Sequence, residues 1–111
     1  MVDSRRKGNA GECAFRSVLM ERDWRVFKRP HGEHGDDFTA IDPDGRIYSV
    51  EVKTTAALTH KHYEQCRDQT TEKNRLLAWH PSKWGFGARA FVVFLWEQGE
   101  KPRVTLWEGK A

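Results

Sequence analysis

The chain has 111 residues, with 38% hydrophobic and 12% aromatic content and five tryptophans, which is enough for one domain (residues 1–111) with a single core and too little for two. Its 32% charged residues are interspersed with apolar runs, unlike a disordered chain, and no apolar stretch approaches the roughly 18 residues of a membrane-crossing helix. The N-terminus is polar and basic without an apolar signal core. Two cysteines, Cys13 and Cys66, form no disulfide framework. The expected compartment is the cytoplasm, or the host cytoplasm for a viral protein.

The formal net charge of +3 conceals three blocks: residues 1–30 carry +4, residues 31–52 carry −5 and residues 53–111 carry +4. Basic flanks suit a polyanion such as nucleic acid, and clustered carboxylates suit a hard divalent cation. Solvated surfaces would give the same charge pattern.

Residues 1–8 read as a basic arm. Asn9 reads as the N-cap of a helix over about 9–22, on which Ala10, Ala14 and Val18 recur at helical spacing beside Phe15 and Leu19. A short strand over 24–28 ends at Pro30. A glycine-containing loop, His31 to Gly35, leads to a strand over 38–41. Asp42-Pro43-Asp44-Gly45 is a turn signal, and a strand over 46–53 follows, making 37–53 a β-hairpin. Residues 60–79 read as a helix stopped by His80-Pro81-Ser82. Ala90 to Trp96 is an unbroken apolar run expected as a strand buried on both faces, and residues 104–107 as a last strand. The order α-β-β-β-α-β-β predicts an α/β fold, a mixed sheet flanked by helices.

The chemistry concentrates on the 46–53 strand. Alternate strand residues share a face, so Glu51 and Lys53 project together while Tyr48, Val50 and Val52 face the other way. A carboxylate and an ammonium at the end of an apolar strand carry a desolvation cost that a partner or a task must offset. An exposed edge-strand ion pair would have the same sequence. The hairpin can bring Asp37 near Glu51, and two carboxylates, with the Val52 carbonyl, are the oxygen set that Mg²⁺ or Mn²⁺ prefers. Asp36 has the opposite facing. Asp37 is preferred because it directly precedes Phe38.

These residues resemble the PD-(D/E)xK nucleases, and within them the Hjc-type Holliday-junction resolvases. Arg6-Lys7-Gly8-Asn9-Ala10-Gly11-Glu12 is similar to the Arg-Lys-Gly-x-x-x-Glu opening of those resolvases. Trp24 to Arg29 is similar to their first strand, Asp36-Asp37-Phe38-Thr39-Ala40 to their Pro-Asp-apolar strand, and Ile47 to Thr55 to their active-site strand. The likeness covers about residues 5–55. RecU-type and VRR-NUC nucleases share the core and are its nearest competitors.

The resemblance implies a restriction-endonuclease-like fold and a Mg²⁺-dependent endonuclease, with Mn²⁺ able to substitute. Its expected substrate is a four-way DNA junction, cut by a homodimer through phosphodiester hydrolysis that leaves a 5′-phosphate. Glu12, Asp37, Glu51 and Lys53 become the catalytic set, with Asp37, Glu51 and the Val52 carbonyl on metal. Arg5, Arg6, Lys7, Lys28 and Arg29 become DNA contacts, and Gln65 or Gln69 an accessory group. The sequence departs from the family pattern in having Asp36 where the family has proline and His31, Glu33 and His34 where it has a loop serine. Nucleases on other branched or duplex DNA, and a non-catalytic DNA-binding module of the same fold, are the alternatives.

The pairs His31/His34 and His60/His62 match no zinc spacing. Trp84-Gly85-Phe86-Gly87 could stack on a base or pack on protein. Trp96, Leu106 and Trp107 exceed what a small core needs, which is a second reason to expect a homodimer.

Overall fold

The computed structural model describes residues 4–28, 38–59, 61, 74–84, 89–97 and 101–109; side chains are described from Ala10 onward, Lys28 excepted. The element order is α1 (Ser4–Glu21), β1 (Arg25–Lys28), β2 (Phe38–Ile41), β3 (Ile47–Thr55), β4 (Arg75–Pro81), a 3-10 turn (Ser82–Trp84), β5 (Ala90–Trp96) and β6 (Arg103–Glu108). The six strands form one mixed sheet in the order β1-β2-β3-β4-β5-β6, with β3 and β4 parallel and every other pair antiparallel. Among the described residues no helix is long and apolar enough to cross a membrane.

Helix α1 packs through Gly11, Ala14, Phe15, Val18 and Leu19, the spacing of a single helical stripe. Its partners are Phe38 and Ala40 of β2, Tyr48, Val50 and Val52 of β3, Leu76 and Ala78 of β4, and Phe91 and Val93 of β5. Phe15 meets Phe91 edge-on at 4.9 Å, and Trp107 lies 6.1 Å from Phe15 and 5.7 Å from Trp24, with the Arg22 guanidinium 4.8 Å over its ring. Trp107 therefore serves this chain's own core and is not spare surface for a second subunit. The opposite sheet face carries a smaller cluster, Leu77 and Phe94 with Leu58, Trp79, Val92 and Trp96.

Two boundaries differ from the sequence reading. The helix begins at Ser4, so residues 4–8 are its first turns and not an arm, and Asn9 lies within it and is not at its N-cap position. Arg5, Arg6 and Lys7 are good helix formers, and they extend the helix through Gly8. Leu76, Leu77 and Trp79 belong to strand β4 and not to the end of a helix; the rest of the helix expected over 60–79 lies outside the described residues, Lys61 and Asn74 aside. The hairpin turn is as expected. Asp42 Oδ1 accepts from the Asp44 and Arg46 N–H groups at 3.0 and 2.8 Å, and Gly45 takes φ +91°, which suits glycine.

Candidate active site

The site is built on the carboxyl half of β3, where the sheet changes from antiparallel to parallel pairing. Tyr48, Val50 and Val52 are taken up by the α1 side, so strand alternation turns Ser49, Glu51 and Lys53 to the other face. Glu51 is only 3% exposed. Its register partner on β4 is Leu77, and that of Lys53 is Trp79, so the two charged groups stand beside apolar side chains. Lys53 Nζ lies 3.8 Å from Glu51 Oε2, with the lysine side chain 30% exposed. That distance makes a through-space ion pair and not a hydrogen bond. Beside apolar walls the attraction is stronger than it would be in water, and a carboxylate buried this deeply requires such a partner.

The structure therefore brings Glu51 and Lys53 together on one face, as strand alternation requires, and removes the exposed-ion-pair alternative for Glu51. Glu12 is half-buried on α1. It follows Gly11, where an added Cβ would stand 2.5 Å from Thr54 Oγ1 and 3.8 Å from Val52 Cγ1. Glu12 thus adjoins the point where α1 meets Val52 and Thr54, on the face of the sheet opposite to Glu51 and Lys53. Asp37, Arg29, Gln65 and Gln69 lie outside the described residues, as do the loop histidines His31 and His34. The adjoining residue Phe38 pairs with Val50, the neighbour of Glu51. Among the described residues no group of three His, Cys, Asp or Glu side chains could hold a metal.

Two buried polar residues, Ser49 on the face of Glu51 and His80 on the α1 face, were not singled out from the sequence. Ser49 is fully buried one pleat before Glu51 on the same face, and its Oγ has no hydrogen-bond partner among the described residues. Alternation alone could have found it. His80, only 6% exposed, pairs in register with Thr54 on β4. Its Nδ1 lies 3.0 Å from the Ala90 carbonyl, which can only accept, so Nδ1 carries the proton. No sequence signal marked His80, because its segment reads as a helix terminator.

Compared with known proteins, the chain matches no family model, no curated protein and no solved structure.

Proposed function

We propose that the protein is a metal-dependent DNA endonuclease of the restriction-endonuclease-like fold, acting on four-way junctions as a homodimer. The observation that carries the reading is the buried Glu51 with Lys53 Nζ at 3.8 Å on the same face of β3. Burying a carboxylate against leucine is costly for a fold that gains nothing from it. It is a recurrent feature of sites that handle a cation or a proton.

In this reading Glu51, with Asp37 and the Val52 carbonyl, would hold Mg²⁺. An ionised carboxylate offers only acceptor oxygens, which is the donor type this cation takes. The bound ion would supply Lewis acidity toward the phosphate and a more acidic water. Lys53 places a fixed ammonium beside the same carboxylate, where it stabilises negative charge developing on a phosphate oxygen. Glu12 would orient water from the α1 side.

The test is cleavage of a synthetic four-way junction against a linear duplex, with and without Mg²⁺. Glu51→Gln and Lys53→Ala are expected to abolish cleavage while retaining junction binding, a loss on the order of 10²-fold or more for each charge. A wild-type protein that binds DNA but cuts none with any divalent metal would leave the non-catalytic binding module. Cleavage of linear duplex with no preference for junctions would move the reading to a repair or restriction nuclease.

A further inference from the structure

Strand β6 is the last strand of the sheet, and its outer edge has no neighbouring strand among the described residues. Arg103, Val104, Thr105 and Leu106 are all exposed, Val104 and Leu106 at 55% each. An edge that presents unpaired backbone groups beside exposed apolar side chains is a template for another strand. Val104 is opposite Phe94 and Leu106 opposite Val92, so both stand on the face of the smaller cluster and continue it to the edge of the sheet.

We infer that β6 is a homodimer interface, in which β6 of a second copy pairs antiparallel with it about a two-fold axis through Thr105. Residues directly opposite each other in an antiparallel pair share a face. A two-fold perpendicular to the sheet keeps each face on its own side, so only registers that pair residues of equal parity are allowed. Of these, the register centred on Thr105 places Val104 against the partner subunit's Leu106, and Leu106 against the partner subunit's Val104. Both exposed apolar side chains are then covered twice over, and Thr105 meets its own symmetry mate. No like charges are directly opposed, since Arg103 falls opposite an uncharged residue, the partner subunit's Trp107.

Charge selects the second copy in the same way. β6 is entered through Lys101 and Arg103, the latter paired within the chain to Glu97 at 2.8 Å, and left through Glu108, so antiparallel self-pairing sets the Lys101 end of one strand against the acidic Glu108 end of the other. The opposite edge lacks this complementarity. β1 runs from Arg25 to Lys28 and is basic at both ends, so self-pairing there sets base against base. The fit at β6 makes no use of the nuclease reading and needs no DNA, and it assigns the dimer a surface that Trp107 does not provide.

Directly opposed residues have Cα atoms about 4.5 or 5.5 Å apart, inside the range that a disulfide spans. In a Cys13→Ser, Cys66→Ser background, Thr105→Cys is therefore expected to cross-link to itself under mild oxidation. Val104→Cys alone should not, because its symmetry mate is a diagonal neighbour about 8 Å away. Val104→Cys mixed with Leu106→Cys should cross-link. Without cysteines, sedimentation should show a dimer that Val104→Lys or Leu106→Lys weakens about tenfold or more, with the far-ultraviolet dichroism and melting of the fold retained, since both side chains are exposed.

A protein that stays monomeric at hundreds of micromolar overturns the proposal, and so does a dimer indifferent to both lysine substitutions. A dimer that the lysines disrupt but Thr105→Cys does not cross-link overturns the register. Any of these outcomes leaves the cleavage assay to be decided separately.

Discussion

Tyr48 shows how one side chain records two environments. Its ring is buried against Trp24, 5.1 Å away, while its hydroxyl reaches Glu97 Oε1 at 3.4 Å. Burial, followed by the charges of Glu97 and Asp42, pushes its pKa up to about 12, only partly offset by Arg46. The folded protein thus keeps the phenol proton between pH of about 10 and 12 while the unfolded chain releases it. The folded state binds more protons there, so stability should be level below about pH 10 and fall as pH rises toward 12. Alkaline titration of the native protein should show phenolate absorbance from Tyr48 appearing only near the unfolding transition. Tyr48→Phe, which has no proton to lose, should remove that part of the alkaline loss while lowering stability slightly at neutral pH, through the long hydrogen bond it gives up.

At the scale of an element, the contact between α1 and β3 rests on the missing side chain of Gly11. A Cβ there would stand 2.5 Å from Thr54 Oγ1, an atom buried without a hydrogen-bond partner among the described residues. Gly11→Ala gains about 1 kcal/mol of helix propensity but must push the helix from the strand, and overpacking of this kind costs about 1–3 kcal/mol. The substitution should therefore be destabilising by denaturant unfolding. Thr54→Ala should be close to neutral, because it removes an unsatisfied hydroxyl. With Oγ1 gone the remaining contacts at Gly11 are ordinary, so the double variant should match or exceed the wild type. Additive effects in this cycle would refute the account.

The same elements explain what could be read from the sequence. The hairpin was legible because Asp42, Pro43 and Gly45 each have a local physical reason to turn the chain, and the facing of Glu51 and Lys53 followed from strand alternation. β5 was legible because its apolar run is rich in valine and phenylalanine. β4 is equally interior, but its run is Leu76-Leu77-Ala78-Trp79. Leucine and alanine are strong helix formers, and only the pairing with β3 and β5, remote in sequence, makes the segment a strand. With β4 misread, the place of His80 beside Thr54 could not be seen. The position of Glu12 on the α1 side of the sheet likewise depends on packing that no local pattern encodes.

For the whole molecule, what the structure changes is the placement of the basic block at the N-terminus. As a flexible arm, Arg5, Arg6 and Lys7 could all follow one DNA backbone, and each phosphate neutralised would steepen the salt dependence of binding by about 0.9 in log–log slope. With α1 beginning at Ser4, the three residues are spaced about 100° apart around the helix axis. In the proposed nuclease reading, residues so spaced do not share one side of the helix, whereas an extended arm could lay all three along one phosphate backbone. Under the proposed DNA-binding function, replacing all three by alanine is expected to lower the magnitude of the salt slope for duplex or junction binding by about 2, against about 3 for an arm. Single replacements of Arg5 or Lys7 should each lower it by about 1 or leave it unchanged, depending on which side of the helix the backbone runs. Affinity measured across a salt series for the four proteins decides this, and an unchanged slope in the triple variant would remove residues 5–7 from the proposed DNA-binding surface altogether.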